Sequence, residues 1–96
     1  MAQINVNTEH LLKVASKLEE TGDDVSGYSG SLEGIRDEVE VSWKSESAGT
    51  YVEELMIVKR NLAKLSGEAD ELAKAIRTYV AEIKRIEREN AQMFNQ

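Results

Sequence analysis

The chain has 96 residues, no proline and no cysteine, and carries 18 acids against 12 Lys plus Arg, a net charge of −6. One small domain fits that length, and the missing cysteines exclude disulfides, Cys-based zinc sites and a thiol nucleophile. The acidic balance argues against nucleic acid and anionic lipid as partners, since both need a cationic surface.

The first predicted element is a helix over about 8–42. Leu11, Leu18, Val25, Leu32 and Val39 recur every seven residues, and Val14, Thr21, Tyr28, Ile35 and Ser42 run between them. Alternating steps of three and four mark the seam of a helix that packs on other helices. Asn7 or Thr8 can cap its start, with Glu9 favourable in the first turn. Gly22, Gly27, Gly30 and Gly34 lie inside it, each costing about 1 kcal/mol relative to Ala. Residues 26–31 are therefore its weakest stretch: a soft segment, a place where a partner backbone comes close, or a break.

The reversal is predicted at about 43–46. Three serines, Gly49 and the single Trp43 interrupt the pattern there, and the heptad frame changes. Ser45 or Ser47 can cap the next helix.

A second helix is predicted over about 47–90, with a tail over 91–96. One series holds Tyr51, Val58, Leu65, Leu72, Tyr79 and Ile86; the other holds Leu55, Leu62, Ala69, Ile76 and Ile83. The two helices would be roughly 50 and 65 Å long. The fold class is all-α: a two-helix antiparallel hairpin that dimerises into an elongated four-helix bundle. Dimerisation is expected because a two-helix layer buries little surface. In addition, counting back from the turn sets the start of the first helix opposite about residue 81. Ile83, Ile86, Met93 and Phe94 then continue the stripe on an overhang without a partner. The expected interface is Leu11, Leu18, Val25, Tyr28, Leu32, Tyr51, Leu55, Ile83 and Ile86. Residues 51–58 form the most apolar stretch, suited to a dimer core or to docking a client.

Charge is uneven. Residues 1–42 carry the whole net of −6, and residues 43–96 are neutral. A solvated acidic face is the plain reading; selection of a basic partner surface is the functional one. Lys59-Arg60 and Lys84-Arg85 with Arg88 stand among glutamates, as helix-surface ion pairs do.

Catalysis is not expected. His10 is the only histidine, and its place in the first turn of the first helix suits a solvated or capping role. Glu19, Glu20, Asp23 and Asp24 form a charged helix face rather than a loop converging six oxygens on calcium. No glycine-rich phosphate loop occurs. No metal or cofactor is expected. The first seven residues lack the basic and apolar regions of an ordinary signal peptide, and no apolar run approaches the roughly 20 residues that span a bilayer.

About one hundred residues, two helices and a central tryptophan turn resemble the WXG-100 family, the small substrates of type VII (ESX) secretion systems. The resemblance rests on Ser42-Trp43-Lys44-Ser45, Ala48 five residues on, Tyr51, and the opening Ile4-Asn5-Val6 with Leu11 following. It covers essentially the whole chain. Ser45 stands where the Trp-x-Gly glycine would be. The family's C-terminal Tyr-x-x-x-Asp/Glu signal is incomplete: Ile83 stands four residues after Tyr79, Glu82 is one position early, and Ile83-x-x-x-Glu87 keeps the spacing without the aromatic. Either the signal is degenerate here or a partner carries it.

The resemblance implies a non-enzymatic protein exported folded, as a dimer, without a cleaved signal peptide. The implied partners are a second copy or a similar small helical protein, the type VII secretion ATPase, and a larger secreted toxin if the chain is instead a cytosolic adaptor. A membrane-lytic bundle is a weaker reading. The implied motif positions are Trp43, Lys44 and Ser45 at the turn and Tyr79, Glu82, Ile83 and Glu87 near the C-terminus.

Overall fold

The structure, a computed structural model, describes residues 6–94. They form two helices, α1 (Thr8–Ser42) and α2 (Glu46–Phe94), folded into an antiparallel hairpin. α1 starts where the side chain of Asn7 accepts from the backbone N–H of His10 (3.0 Å), satisfying one of the free donors of the first turn. It runs unbroken through Gly27 and Gly30, so the weak stretch is no break. α2 extends to Phe94, past the expected end near 90, because nothing in Asn90-Ala91-Gln92-Met93 forbids helix. Of the expected tail, 91–94 therefore belong to α2, and 95–96 lie outside the described residues.

Trp43 ends α1 in an extended conformation, and its N–H donates to the carbonyl of Val39 (2.8 Å). Ser45 starts α2: its Oγ accepts from the N–H of Ala48 (3.3 Å). Among the described residues none has a positive φ, so the turn does not call for glycine's freedom, and a serine supplies a cap that glycine lacks. Ser45→Ala is expected to cost about 1 kcal/mol and Ser45→Gly only a few tenths. Urea unfolding of the two variants tests this; equal losses would remove the capping role.

Small residues bring the helices together. Ala15, Gly22 and Ser29 of α1 and Ala48, Ala73, Val80 and Ile83 of α2 are buried. Two serines cross the seam: Ser29 Oγ donates to the carbonyl of Lys59 (3.2 Å), and Ser66 Oγ donates to the carbonyl of Gly22 (2.7 Å). A serine inside a helix ordinarily bonds back to its own helix, as Ser31 does to Gly27. Reaching a carbonyl of the other helix requires near backbone contact. The two bonds are one heptad apart on each helix and run in opposite directions, so a slip of either helix breaks both. They pin the register, with residue 22 level with 66 and 29 level with 59.

That register corrects two sequence expectations. In α1 the second apolar series does not enter the seam. Tyr28 and Ile35 are 64% and 45% exposed, and the seam partners of the leucines are Ala15, Gly22 and Ser29 instead. Ile83 is not on an uncovered overhang; it is buried within the single chain, 3% exposed. Asn7 lies outside α1 in an extended conformation. An extended residue advances about 3.3 Å against 1.5 Å for a helical one. From Thr8, level with residue 80, the extended Asn7 therefore advances as far along α2 as about two helical residues, to the level of about residue 82 beside Ile83. The uncovered part of α2 starts after it and ends on the exposed Met93 and Phe94.

The hairpin measures 77 × 17 × 15 Å with a radius of gyration of 22.0 Å. A compact chain of this length would have a radius of about 12–13 Å. The exposed surface is 7571 Å², whereas a compact monomer of 10.7 kDa exposes about 5,500 Å². No large side chain is completely enclosed among the described residues. One layer of two helices leaves roughly 2,000 Å² more in water than a globular chain would.

Candidate interaction surface

The two sides of the hairpin differ. In α1 the series Val14, Thr21, Tyr28 and Ile35, of which Val14 is half-buried and the others exposed, stands three residues after Leu11, Leu18, Val25 and Leu32. In α2 the series Tyr51, Val58, Leu65, Leu72 and Tyr79 stands one residue before each small or half-buried seam position. Each is turned roughly 75° from its seam in the same rotational sense, which in an antiparallel pair means the same side. That side is apolar and uncovered: Tyr51, Val58, Leu65, Leu72 and Tyr79 are all between 46% and 54% exposed. The opposite side is closed by ions. Arg77 pairs with Glu19 and also donates to Ser16 Oγ (3.2 Å), and Lys59 pairs with Glu33 (3.0 Å). These exposed pairs are worth little in stability, but they leave that side polar.

At the turn end, Trp43 does not plug the space between the helices. Its ring lies against Tyr51, centroids 5.2 Å apart and planes inclined by 34°. Trp43 stays 43% exposed. Glu40, Lys44, Ser45, Gly49 and Val52 surround a shallow cleft beside it, over the buried Ala48. The result is a half-exposed aromatic pair, the side-chain type enriched at interface hot spots. The charge around it is negative. Between Glu33 and Glu54 the chain holds seven acids against Arg36 and Lys44, a net of −5. At the other end residues 8–20 and 74–94 carry a net of +1. The hairpin is electrically polar along its length.

The C-terminal positions divide. Tyr79 belongs to the apolar side. Glu82 is exposed and pairs with Arg85, whose hydrogen bond and positive charge hold its carboxyl below the usual range. Arg85 also pairs with Glu89 (2.7 Å). Glu87 is exposed, and Ile83 points into the seam. Within one chain Trp43 and Tyr79 stand roughly 50 Å apart along α2, so a single hairpin does not bring the turn and the C-terminal positions together.

Of the expected interface residues, Leu11, Leu18, Val25, Leu32 and Leu55 are half-buried in the chain's own seam, together with the buried Ile83. Tyr28 and Tyr51 are exposed on the apolar side, and Ile86 is half-buried. Val58, of the apolar stretch over 51–58, also lies on that side; Leu65, Leu72 and Ile35 complete it and were not among the residues expected there. The signal for them was present as the unbroken heptad from Tyr51 to Tyr79. Among the described residues no His, Asp and Glu cluster suits a metal ion, and no helix is long and apolar enough to cross a membrane.

A family model described as proteins of 100 residues with WXG matches residues 3–93. No curated protein and no solved structure matches the chain.

Proposed function

The chain belongs to the WXG100 family of small, non-enzymatic secreted proteins, and on that premise we propose that it is a substrate and structural component of a type VII secretion system. It acts through protein–protein contacts as one half of a four-helix bundle. The observation that carries this is the two-sided hairpin, with one flank closed by ion pairs and the other a continuous apolar stripe. The roughly 2,000 Å² of surplus surface falls within the roughly 1,000–2,500 Å² that each partner loses in an obligate interface. Export proceeds with the bundle folded and without a cleaved signal peptide. The secretion ATPase recognises the end where the Trp43–Tyr51 pair of one hairpin meets the C-terminal segment of the other.

Trp43 serves that recognition more than stability, because its ring is 43% exposed and lies against the half-exposed Tyr51. Trp43→Ala is expected to lower the exported fraction at least tenfold while leaving the mass in solution unchanged. Immunoblots of culture supernatant against cell pellet measure the first, and light scattering measures the second. Unchanged export would sink the role of Trp43.

The second reading is an adaptor that escorts a larger toxin to the same machinery. It is favoured by the C-terminal positions, where Ile83 is buried in the seam and cannot present an export signal. Isolation of the chain from its native cell separates the two: a stoichiometric large client supports the adaptor, and a chain recovered with only small helical proteins supports the substrate.

A further inference from the structure

We propose that residues 27–42 of α1 form an opening unit, which detaches from α2 and unwinds while the first half of α1 and all of α2 stay helical. The opening belongs to the single hairpin and stands apart from the secretion reading.

Glycine marks the segment. Of the four glycines inside α1 only Gly22 packs against α2; at Gly27, Gly30 and Gly34 an added Cβ meets nothing within 4 Å. All three are exposed. By helical geometry Gly27 and Gly34 stand opposite the seam, and Gly30 stands toward the ion-paired side. None faces α2 or the apolar side, so neither the hairpin nor a partner on that side needs them to be small. Each lowers the helix equilibrium about fivefold relative to alanine, and together they lower it roughly a hundredfold within eight residues. Opposite them, over 46–61, α2 holds one glycine, Gly49, in its first turn.

Packing is thinnest in the same place. The serine bonds set 27–42 level with 46–61. In that half the buried residues are Ser29 and Ala48, whereas Ala15, Ala73, Val80 and Ile83 are all buried in the other half. Two polar ties hold it, Ser29 on the Lys59 carbonyl and Lys59 on Glu33 (3.0 Å). Nearer the turn, the one polar contact between the helices among the described residues is Arg36 Nη1 on Met56 Sδ (3.6 Å).

Charge acts in the same direction. Asp37, Glu38 and Glu40 crowd the C-terminal end of α1, which has no base in its last turn. Acids there oppose the helix dipole. The net of −5 over 33–54 also repels itself while the turn end is closed.

A segment with low propensity, thin packing and adverse charge opens more readily than its surroundings, as local unfolding units do. Opening uncovers Val52, Leu55 and Met56 of α2, which are half-buried in the closed hairpin, close to the Trp43–Tyr51 pair. The turn end thus has two states that differ in the apolar surface they present.

Hydrogen exchange read by mass spectrometry on the purified chain tests this. Amides over 31–42 are expected to exchange at least tenfold faster than those over 11–22 and 73–83. In a chain carrying Gly27→Ala, Gly30→Ala and Gly34→Ala, protection over 31–42 should rise at least tenfold, with a ceiling of about a hundredfold. Protection over 11–22 and 73–83 should stay within twofold. Gly67→Ala adds the same methyl to open space on α2 and should leave 31–42 unchanged. Equal exchange along both helices, or a rise by one common factor in every segment, would mean that the hairpin opens as a whole and overturns the proposal. A triple variant of lower mass than the native chain by light scattering would mean that the glycines receive a partner's backbone, and overturns their role in opening.

Discussion

A chain carrying Leu65→Asp and Leu72→Asp is expected to run at monomer mass at concentrations where the native chain runs at twice that mass. Both residues are about half exposed in the single hairpin, so the substitutions remove little from its own seam. In the bundle each leucine is buried, and each occurs twice. Loss of a buried leucine side chain costs about 1.5–3 kcal/mol. Association buries only the half that the hairpin leaves exposed, so four of them amount to about 3–6 kcal/mol, or roughly a hundredfold to ten-thousandfold weaker association, before the cost of burying unpaired carboxylates is added. The same charge at Ala63, an exposed position on the ion-paired side, should leave the mass unchanged. Light scattering of the two variants decides the matter, and a doubly substituted chain that stays at twice the monomer mass would remove the apolar side from the interface. Ile83→Asp is the wrong probe, because Ile83 is buried in the hairpin itself, and its loss would unfold the open end whether or not a second subunit is present.

Glycine substitutions in α1 should move stability in opposite directions. A Cβ added at Gly22 would stand 3.1 Å from Asp70 Oδ1, 3.3 Å from the carbonyl oxygen of Ser66 and 3.5 Å from Ala69 Cβ. The Asp70 carboxylate can swing away. A mid-helix carbonyl cannot, so a leucine there must push the helices apart and break the bond from Ser66 Oγ to the Gly22 carbonyl. Overpacking costs about 1–3 kcal/mol and the lost hydrogen bond about 1 kcal/mol. The gain in helix propensity returns about 1 kcal/mol. The net loss of about 1–3 kcal/mol lowers the melting temperature by roughly 10 °C. At Gly27 an added Cβ meets nothing within 4 Å. Gly27→Ala keeps the propensity gain of about 1 kcal/mol and should raise the melting temperature by about 4–8 °C. Thermal melts at one fixed concentration test the pair, since melting of an associating chain depends on concentration. Shifts of the same sign would mean that the Gly22 contact does not control the spacing of the helices.

The helices, their reversal and the acidity of the first helix were legible in the residues themselves. Those features depend on neighbours along the chain: a seven-residue apolar period, a capping Asn7 and Ser45, and a cluster of serines around Trp43. The resemblance to the secreted family was legible for the same reason, because its marks are local residue types at fixed spacing. What was not legible was the assignment of faces. Each helix carries two apolar heptad series, and periodicity does not say which enters the seam. Both series of α1 read as seam, yet only the leucine series lies there, paired with Ala15, Gly22 and Ser29.

Small residues explain the miss. A hydrophobic pattern weights leucine and tyrosine and passes over glycine and serine. In this hairpin the close approach of two backbones, held by Ser29 and Ser66 on opposite carbonyls, decides the register. Once the small residues meet, the tyrosines and the remaining leucines have no room between the helices and must face outward. The sequence by itself therefore determined that there are two helices, where they turn and how they are charged, since those follow from short-range chemistry. Only the tertiary structure decided which apolar stripe is spent inside the chain and which is left for a partner, because that choice depends on how near two helices can come.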